Sequence, residues 1–129
     1  MAGFFVQLEQ ATLANGFFRQ VLFTSKHSQL VLMSLKPKED IGMEVHPDND
    51  QFIRIEKGQG QAIIDGQSFV LADGSAVVIP AGSQHNIMNT SETEELKLYT
   101  VYSPAHHPDG TVHKTKADAL GAEAAEHAV

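Results

Sequence analysis

From Phe17 onward the apolar residues fall in short runs rather than at helical spacing: FFRQVLFT, then SQLVLMSL after a polar SKH turn. Runs of this length predict strands, and the second, apolar at most positions, predicts a strand covered on both faces. Pro37 to Asp40 ends it. In the following run Gln51, Ile53 and Ile55 share one parity, with Phe52, Arg54 and Glu56 on the other. The charged parity faces water, which carries Gln51 to the interior beside two isoleucines. An inward glutamine at the head of a strand needs a partner. Gln61 to Ile64 and QSFVL flank Asp65-Gly66, a strong short-range hairpin signal. Asp73-Gly74 marks a turn before SAVVI, Pro80-Ala81-Gly82 another before His85 to Asn89, and ELKLYTVY (Glu95 to Tyr102) alternates as a further strand.

Short strands separated by glycine turns, with no room for crossover helices, predict an all-β sandwich or barrel. Its core candidates are Ile53, Ile55, Ile64, Val77, Ile79, Ile87 and Leu98. Met33, Met43 and Met88 suit either core or cavity. Tyr99 and Tyr102 have opposite parity, so only one of them turns inward. QLEQATLANG, near the start, reads as a short helical turn ending at Asn15-Gly16 or as an irregular lead-in. Beyond Tyr102, SPAHHPDGTVHK is loop-like, and TKADALGAEAAEHAV is an alanine-rich, acidic stretch, a weak helix capped at Thr115 and interrupted by Gly121. The expected division is a barrel over residues 1–103 and a C-terminal extension over 104–129, packing on or near the barrel.

Composition narrows the chemistry. The 129 residues are one domain's worth, and the absence of cysteine excludes disulfides and thiolate ligands. Nine basic against sixteen acidic residues leave a formal charge of -7, with no Lys/Arg cluster, so nucleic acid is not an expected partner. MAGFFVQLEQ lacks the features of a signal peptide, and no apolar stretch is long enough to span a bilayer, so a soluble cytoplasmic protein without a membrane partner is expected.

Within Gly42 to Gly60, Glu44 and His46 lie two residues apart, so on a strand their carboxylate and imidazole point to one space. His85 supplies a second loop-borne imidazole. Together they predict one divalent cation held by nitrogen and oxygen: iron, manganese, zinc or nickel. A set of His46, Asp48 and His85 is also chemically sensible, although PDND reads as a turn. His106, His107 and His113 stand in a Pro/Asp/Gly-rich segment that either is solvated or folds back over the barrel mouth to offer an acid–base group.

These residues carry a resemblance. Gly74-SAVVI-Pro80-A-Gly82-SQ-His85-NIM-Asn89 fills every fixed position of the second cupin motif, and the chain resembles a single-domain member of the cupin superfamily. The first motif is altered: counted back from Gly58, Gln51 stands at its acidic position, Glu44 and His46 at its two histidines, and Lys38 at its opening glycine. The resemblance implies a cupin-type double-stranded β-helix, or jelly-roll barrel. It also implies metal positions at Glu44, His46, Gln51 and His85. The altered set keeps one negative ligand, since Glu44 gains the carboxylate that Gln51 lacks, and Gln51 can coordinate only through its amide oxygen. The function implied is a small metal-dependent enzyme acting on a small organic substrate, oxygen-dependent in the manner of the family's dioxygenases. The alternatives are a non-redox isomerase or lyase and a cupin that only binds metal or a small ligand. A homodimer formed through the apolar first strands is the family-based expectation.

Overall fold

The computed structural model describes residues 2–127. A short helix, α1 (Leu8–Ala14), precedes the strands β1 (Arg19–Thr24), β2 (Gln29–Leu35), β3 (Glu44–Val45), β4 (Asp50–Lys57), β5 (Gly60–Ile64), β6 (Gln67–Leu71), β7 (Ala76–Ile79), β8 (Gln84–Asn89), β9 (Leu96–Ser103) and β10 (Val112–His113). A second helix, α2 (Lys116–His127), follows them. One sheet runs β10-β1-β2-β9-β4-β7 and the other β3-β8-β5-β6, with every pairing antiparallel. This is the jelly-roll barrel expected. No described helix is long and apolar enough to cross a membrane.

The strand parities resolve as the pattern predicts. Gln51, Ile53 and Ile55 are buried while Arg54 and Glu56 pair with each other outside at 2.9 Å. Register then stacks the interior of the larger sheet in rows. Met33, Leu98 and Ile55 lie side by side, next come Val31, Thr100 and Ile53, and beyond them Gln29, Tyr102 and Gln51. The first two rows are apolar apart from one threonine; the third is polar, and it marks the barrel's mouth. Tyr102 is therefore the inward tyrosine, 2 % exposed, and Met33 is core while Met43 is exposed.

Turn chemistry accounts for the connections. Asp65 and Gly66 both take positive φ, as a two-residue hairpin turn between β5 and β6 requires. Gly58 (φ +106) has no room for a side chain, because a Cβ there would stand 2.7 Å from the Glu95 carbonyl oxygen. Lys38 also sits at positive φ (65), which explains why the family pattern has glycine at that position. Asn89 ties a loop, as its place in the second motif suggests: its amide donates to the carbonyls of Leu35, Lys36 and Glu94.

The lead-in QLEQATLANG forms α1, which lies against β2, β4 and β9. Leu32 is 2 % exposed yet belongs to no part of the inner core, so it is buried on the sheet's outer side. Lys97 holds the end of α1 from that side, donating to the Asn15 carbonyl and to Ser34 Oγ. Phe4 stacks on Phe23 at 5.1 Å. The apolar excess of β1 and β2, from which a homodimer is expected, is thus partly taken up within the chain. At the other end Thr115 caps α2, its hydroxyl accepting from the Asp118 N–H at 3.1 Å. Lys116 pairs with Asp40 at 2.5 Å.

Candidate metal centre

The site is built where β3, β8 and the polar end of the larger sheet meet. Glu44 on β3 stands directly opposite His85 on β8, so both side chains leave adjacent strands on one face. β3 stops after two residues, and His46 lies just beyond it. Its carbonyl accepts from the Gly82 N–H at 2.9 Å, which locks the first motif to the turn of the second. The His46 ring comes back towards Glu44, with Nε2 at 2.9 Å from the carboxylate oxygen Oε2. That is ion-pair distance without hydrogen-bond alignment, and buried Nε2 makes no protein hydrogen bond. His85 is 4 % exposed, and its Nδ1 lies 3.0 Å from the Ser83 carbonyl. An N–H there would leave Nε2 as the free donor atom, the arrangement typical of a histidine ligand. The His46 and His85 rings are 5.1 Å apart.

Gln51 occupies the inner corner, 3 % exposed. Its Nε2 donates to Thr100 Oγ1 at 3.0 Å, which leaves Oε1 as the other end of the amide. Oε1 is buried with no hydrogen-bond partner. Such an oxygen is costly to bury, by about 1–3 kcal/mol, and it is the atom that a hard cation would coordinate.

The tail segment supplies what the motifs do not. Two buried amides hold it over the mouth. Asn49 donates to the carbonyls of Pro104 and Ala105 at 2.6 and 3.2 Å. Gln29 donates to the His107 carbonyl at 2.7 Å, while its Oε1 accepts from the N–H groups of His106 and His107. The His106 ring consequently sits 4.0 Å from that of His46. Among the described residues one group of His and carboxylate side chains could close on a metal: Glu44, His46 and His106, with ligand atoms mutually within 4.8 Å. Asp48 joins no such group and is exposed, whereas Asp50 accepts from the Ala81 N–H and serves the turn.

The electrostatics favour an anionic Glu44. Burial opposes its ionisation, but the contact with His46 and the electrostatic influence of His46, Arg19 and His85 outweigh that and hold the carboxyl below its usual range. His107 is pushed down to about 2, first by burial and then by Arg19, so it is neutral at working pH. Burial pushes the Tyr102 hydroxyl up, against the opposing charge of Arg19, and keeps it a neutral phenol. Its ring packs edge-on against His46 at 5.7 Å. A cavity of about 320 Å³ opens beside Glu44, His46, His106 and His107 and is also lined by Arg19, His113 and Glu123; His85, Gln51 and Tyr102 do not line it. Neither Arg19 nor the placement of His106 was foreseeable from the motifs. Arg19 shares inward parity with Val21, and this was the only local signal of its burial.

The comparisons agree with the fold. The Cupin domain model matches residues 31–102. An uncharacterized protein of Acanthamoeba polyphaga mimivirus is 56% identical over 110 residues, covering 83% of this chain and 69% of that protein. The uncharacterized protein YrkC of Bacillus subtilis is 51% identical over 126 residues, 93% of this chain and 67% of its own length. The crystal structure of BH2720 from Bacillus halodurans superposes with a TM-score of 0.90 at 43% identity, covering 93% of this chain and 95% of that one.

Proposed function

This chain belongs to the cupin family, and on that premise we propose that it is a small metal-dependent enzyme whose reaction consumes oxygen on a small organic substrate. The donor set carries the reading. Two imidazoles and one carboxylate, with no thiolate, are the ligands by which non-haem ferrous oxygenases leave coordination positions open. Glu44 and His46 form with His106 the group that could close on a metal; His85 is not part of that group, and in this reading it joins from β8, its ring 5.1 Å from that of His46. The residues fit a cation, since His46 Nε2 and Gln51 Oε1 are both buried without hydrogen-bond partners.

In this reading Glu44, His46 and His85 hold the ion, Gln51 Oε1 lends a weak neutral donor, and His106 reaches it from the tail. When bound, the ion supplies a Lewis acid and, if it is iron, a redox centre at the cavity wall. The chain's own contribution is placement. Ser83 and Thr100 orient His85 and Gln51, and the Tyr102 ring presents an apolar, unionised surface beside them. Gln29 and Asn49 hold the histidine segment across the mouth, where it limits the access of water.

Metal analysis of the purified full chain, combined with oxygen-electrode measurements over a panel of small organic acids and ketones, tests this. Bound iron with substrate-dependent oxygen uptake is expected, with metal lost in Glu44→Ala and His46→Ala. Zinc or manganese without uptake would replace the redox reading by an isomerase, lyase or binding role. A chain that retains no divalent metal after loading would overturn every metal-dependent version.

A further inference from the structure

Arg19 is a buried charged side chain at the cavity whose chemistry the metal does not explain. It is 2 % exposed and lies at the cavity wall. A guanidinium offers five N–H donors and no acceptor, so burying it demands acceptors. The structure supplies few. Nη1 donates to His113 Nδ1 at 3.2 Å, and the flat face of the group rests on the Phe18 ring at 5.3 Å. Nε is buried with no hydrogen-bond partner, and among the described residues no carboxylate oxygen lies within ion-pair distance of the group. A buried arginine held by a neutral imidazole and an aromatic face, with donors left over at a cavity, is a built receptor for an oxyanion.

Charge selects among oxyanions. Arg19 shares the cavity with Glu44 and Glu123. One guanidinium against two carboxylates leaves one net negative charge, and a divalent cation turns that into one net positive. Such a cavity accepts a monoanion and disfavours a phosphate dianion. The volume, about 320 Å³, is at the low end for small-molecule sites and limits the ligand to a few carbons.

We propose that the cavity binds small monocarboxylic acids, with Arg19 receiving the carboxylate and directing the rest of the molecule towards Glu44 and His46. The direction towards the cation and the preference for a monoanion over a dianion rest on the metal reading above, whereas the recognition of a carboxylate group by the guanidinium rests on Arg19. Arg19 is in this view a specificity-determining residue, and the His113 that β10 pairs against it keeps its fork in place.

The test follows the Nε–H resonance of Arg19 by NMR in the full chain, zinc-loaded and metal-free, during titration with acetate, pyruvate, inorganic phosphate and neutral methyl acetate. Acetate and pyruvate are expected to shift that resonance at millimolar concentration in both forms, more tightly with zinc, while methyl acetate leaves it unmoved. Arg19→Met is expected to weaken pyruvate binding about 10- to 100-fold, as loss of a charge-assisted hydrogen bond implies, with zinc stoichiometry unchanged. If that variant does not fold, the wild-type resonance decides. A resonance unmoved by both carboxylates, an Arg19→Met variant that binds pyruvate as well as wild type, or tighter binding of phosphate than of pyruvate would each overturn the proposal. Loss of zinc binding alone would count against the metal reading and leave the carboxylate result standing.

Discussion

Replacing Gln51 by glutamate separates what the inner corner contributes to folding from what it contributes to metal binding. The side chains are nearly isosteric, and the Thr100 hydroxyl can rotate to donate to the new carboxylate, so packing and the one hydrogen bond survive. What changes is a charge at a site 3 % exposed, within the same barrel mouth as Glu44. Without metal that carboxylate is desolvated and faces a like charge, so its folded pKa rises above the unfolded value of about 4.3. The cost has a ceiling, because the group can protonate instead of ionising. At pH 7, holding it protonated costs 2.7 pH units at 1.36 kcal/mol each, about 3.7 kcal/mol. The sign follows from linkage: a carboxyl with raised folded pKa binds more protons folded than unfolded, so stability falls as pH rises from 4.3 and the loss vanishes below it. With metal the balance reverses, since a second anionic oxygen replaces a neutral amide. Urea denaturation in chelator at pH 7 and at pH 4, with calorimetric titration of manganese, reads both effects. The expected result is a variant destabilised by up to about 3.7 kcal/mol at pH 7, near wild type at pH 4, and at least about tenfold tighter for manganese. A destabilisation independent of pH, or a manganese affinity no better than wild type, would refute the assignment of position 51 to the metal.

Gln29→Leu removes the amide that holds the histidine segment, with four hydrogen bonds lost to Thr24, His106 and His107. At about 0.5–1.5 kcal/mol each, a loss of roughly 2–6 kcal/mol is expected in urea denaturation. Faster amide exchange at residues 106 and 107 is expected with it, and unchanged protection there would contradict the clamp. Asp40→Asn tests the tether of α2. The Lys116 hydrogen bond, then that of Asn86, holds the Asp40 carboxyl below its usual range, so its contribution is present above pH 3.8 and is lost as pH falls through the lower folded value. Asp40 is about one-third exposed and Lys116 one-quarter, so solvent screening limits the pair to about 0.5–1 kcal/mol at pH 7. The difference in stability between wild type and variant should narrow as the pH is lowered through 3.8 and below, and a gap that stays constant over that range would show that the charge is not its source.

The barrel was legible because its signals are local. Asp65-Gly66 takes the two positive φ values that a hairpin turn needs, and the Gln51, Ile53, Ile55 parity settles which face of β4 is inside. Lys38 shows the same logic in reverse, since it keeps the left-handed backbone without the glycine that usually permits it. For the tail histidines the sequence left two readings, solvated or folded back over the mouth, and did not decide between them, because what places His106 is an amide 77 residues earlier. No periodicity encodes a contact between Gln29 and a loop after β9; it exists only once β2 and β9 are paired and Gln29 stands beside Tyr102. Arg19 was missed for a related reason. A single arginine in a strand ordinarily reads as solvent-facing, and its burial depends on β10 closing over β1.

The exchange of charge between positions 44 and 51 has a physical consequence for the whole mouth. Position 51 lies in the middle of the larger sheet, flanked in register by Ile79 and Tyr102, neither of which can balance an anion. Position 44 lies on a two-residue strand at the rim, with its side chain 24% exposed and with His46 and Arg19 near enough to favour its ionised form. Placing the carboxylate at 44 therefore lowers its desolvation cost and keeps it anionic before any metal arrives. Glu44 and Arg19 also line the same cavity, and the charge of Arg19 helps to hold the Glu44 carboxyl below its usual range. Gln51, being neutral, adds no repulsion from the opposite corner. The altered first motif is thus coherent with a buried arginine: the carboxylate stands where the chain already has a positive group to balance it.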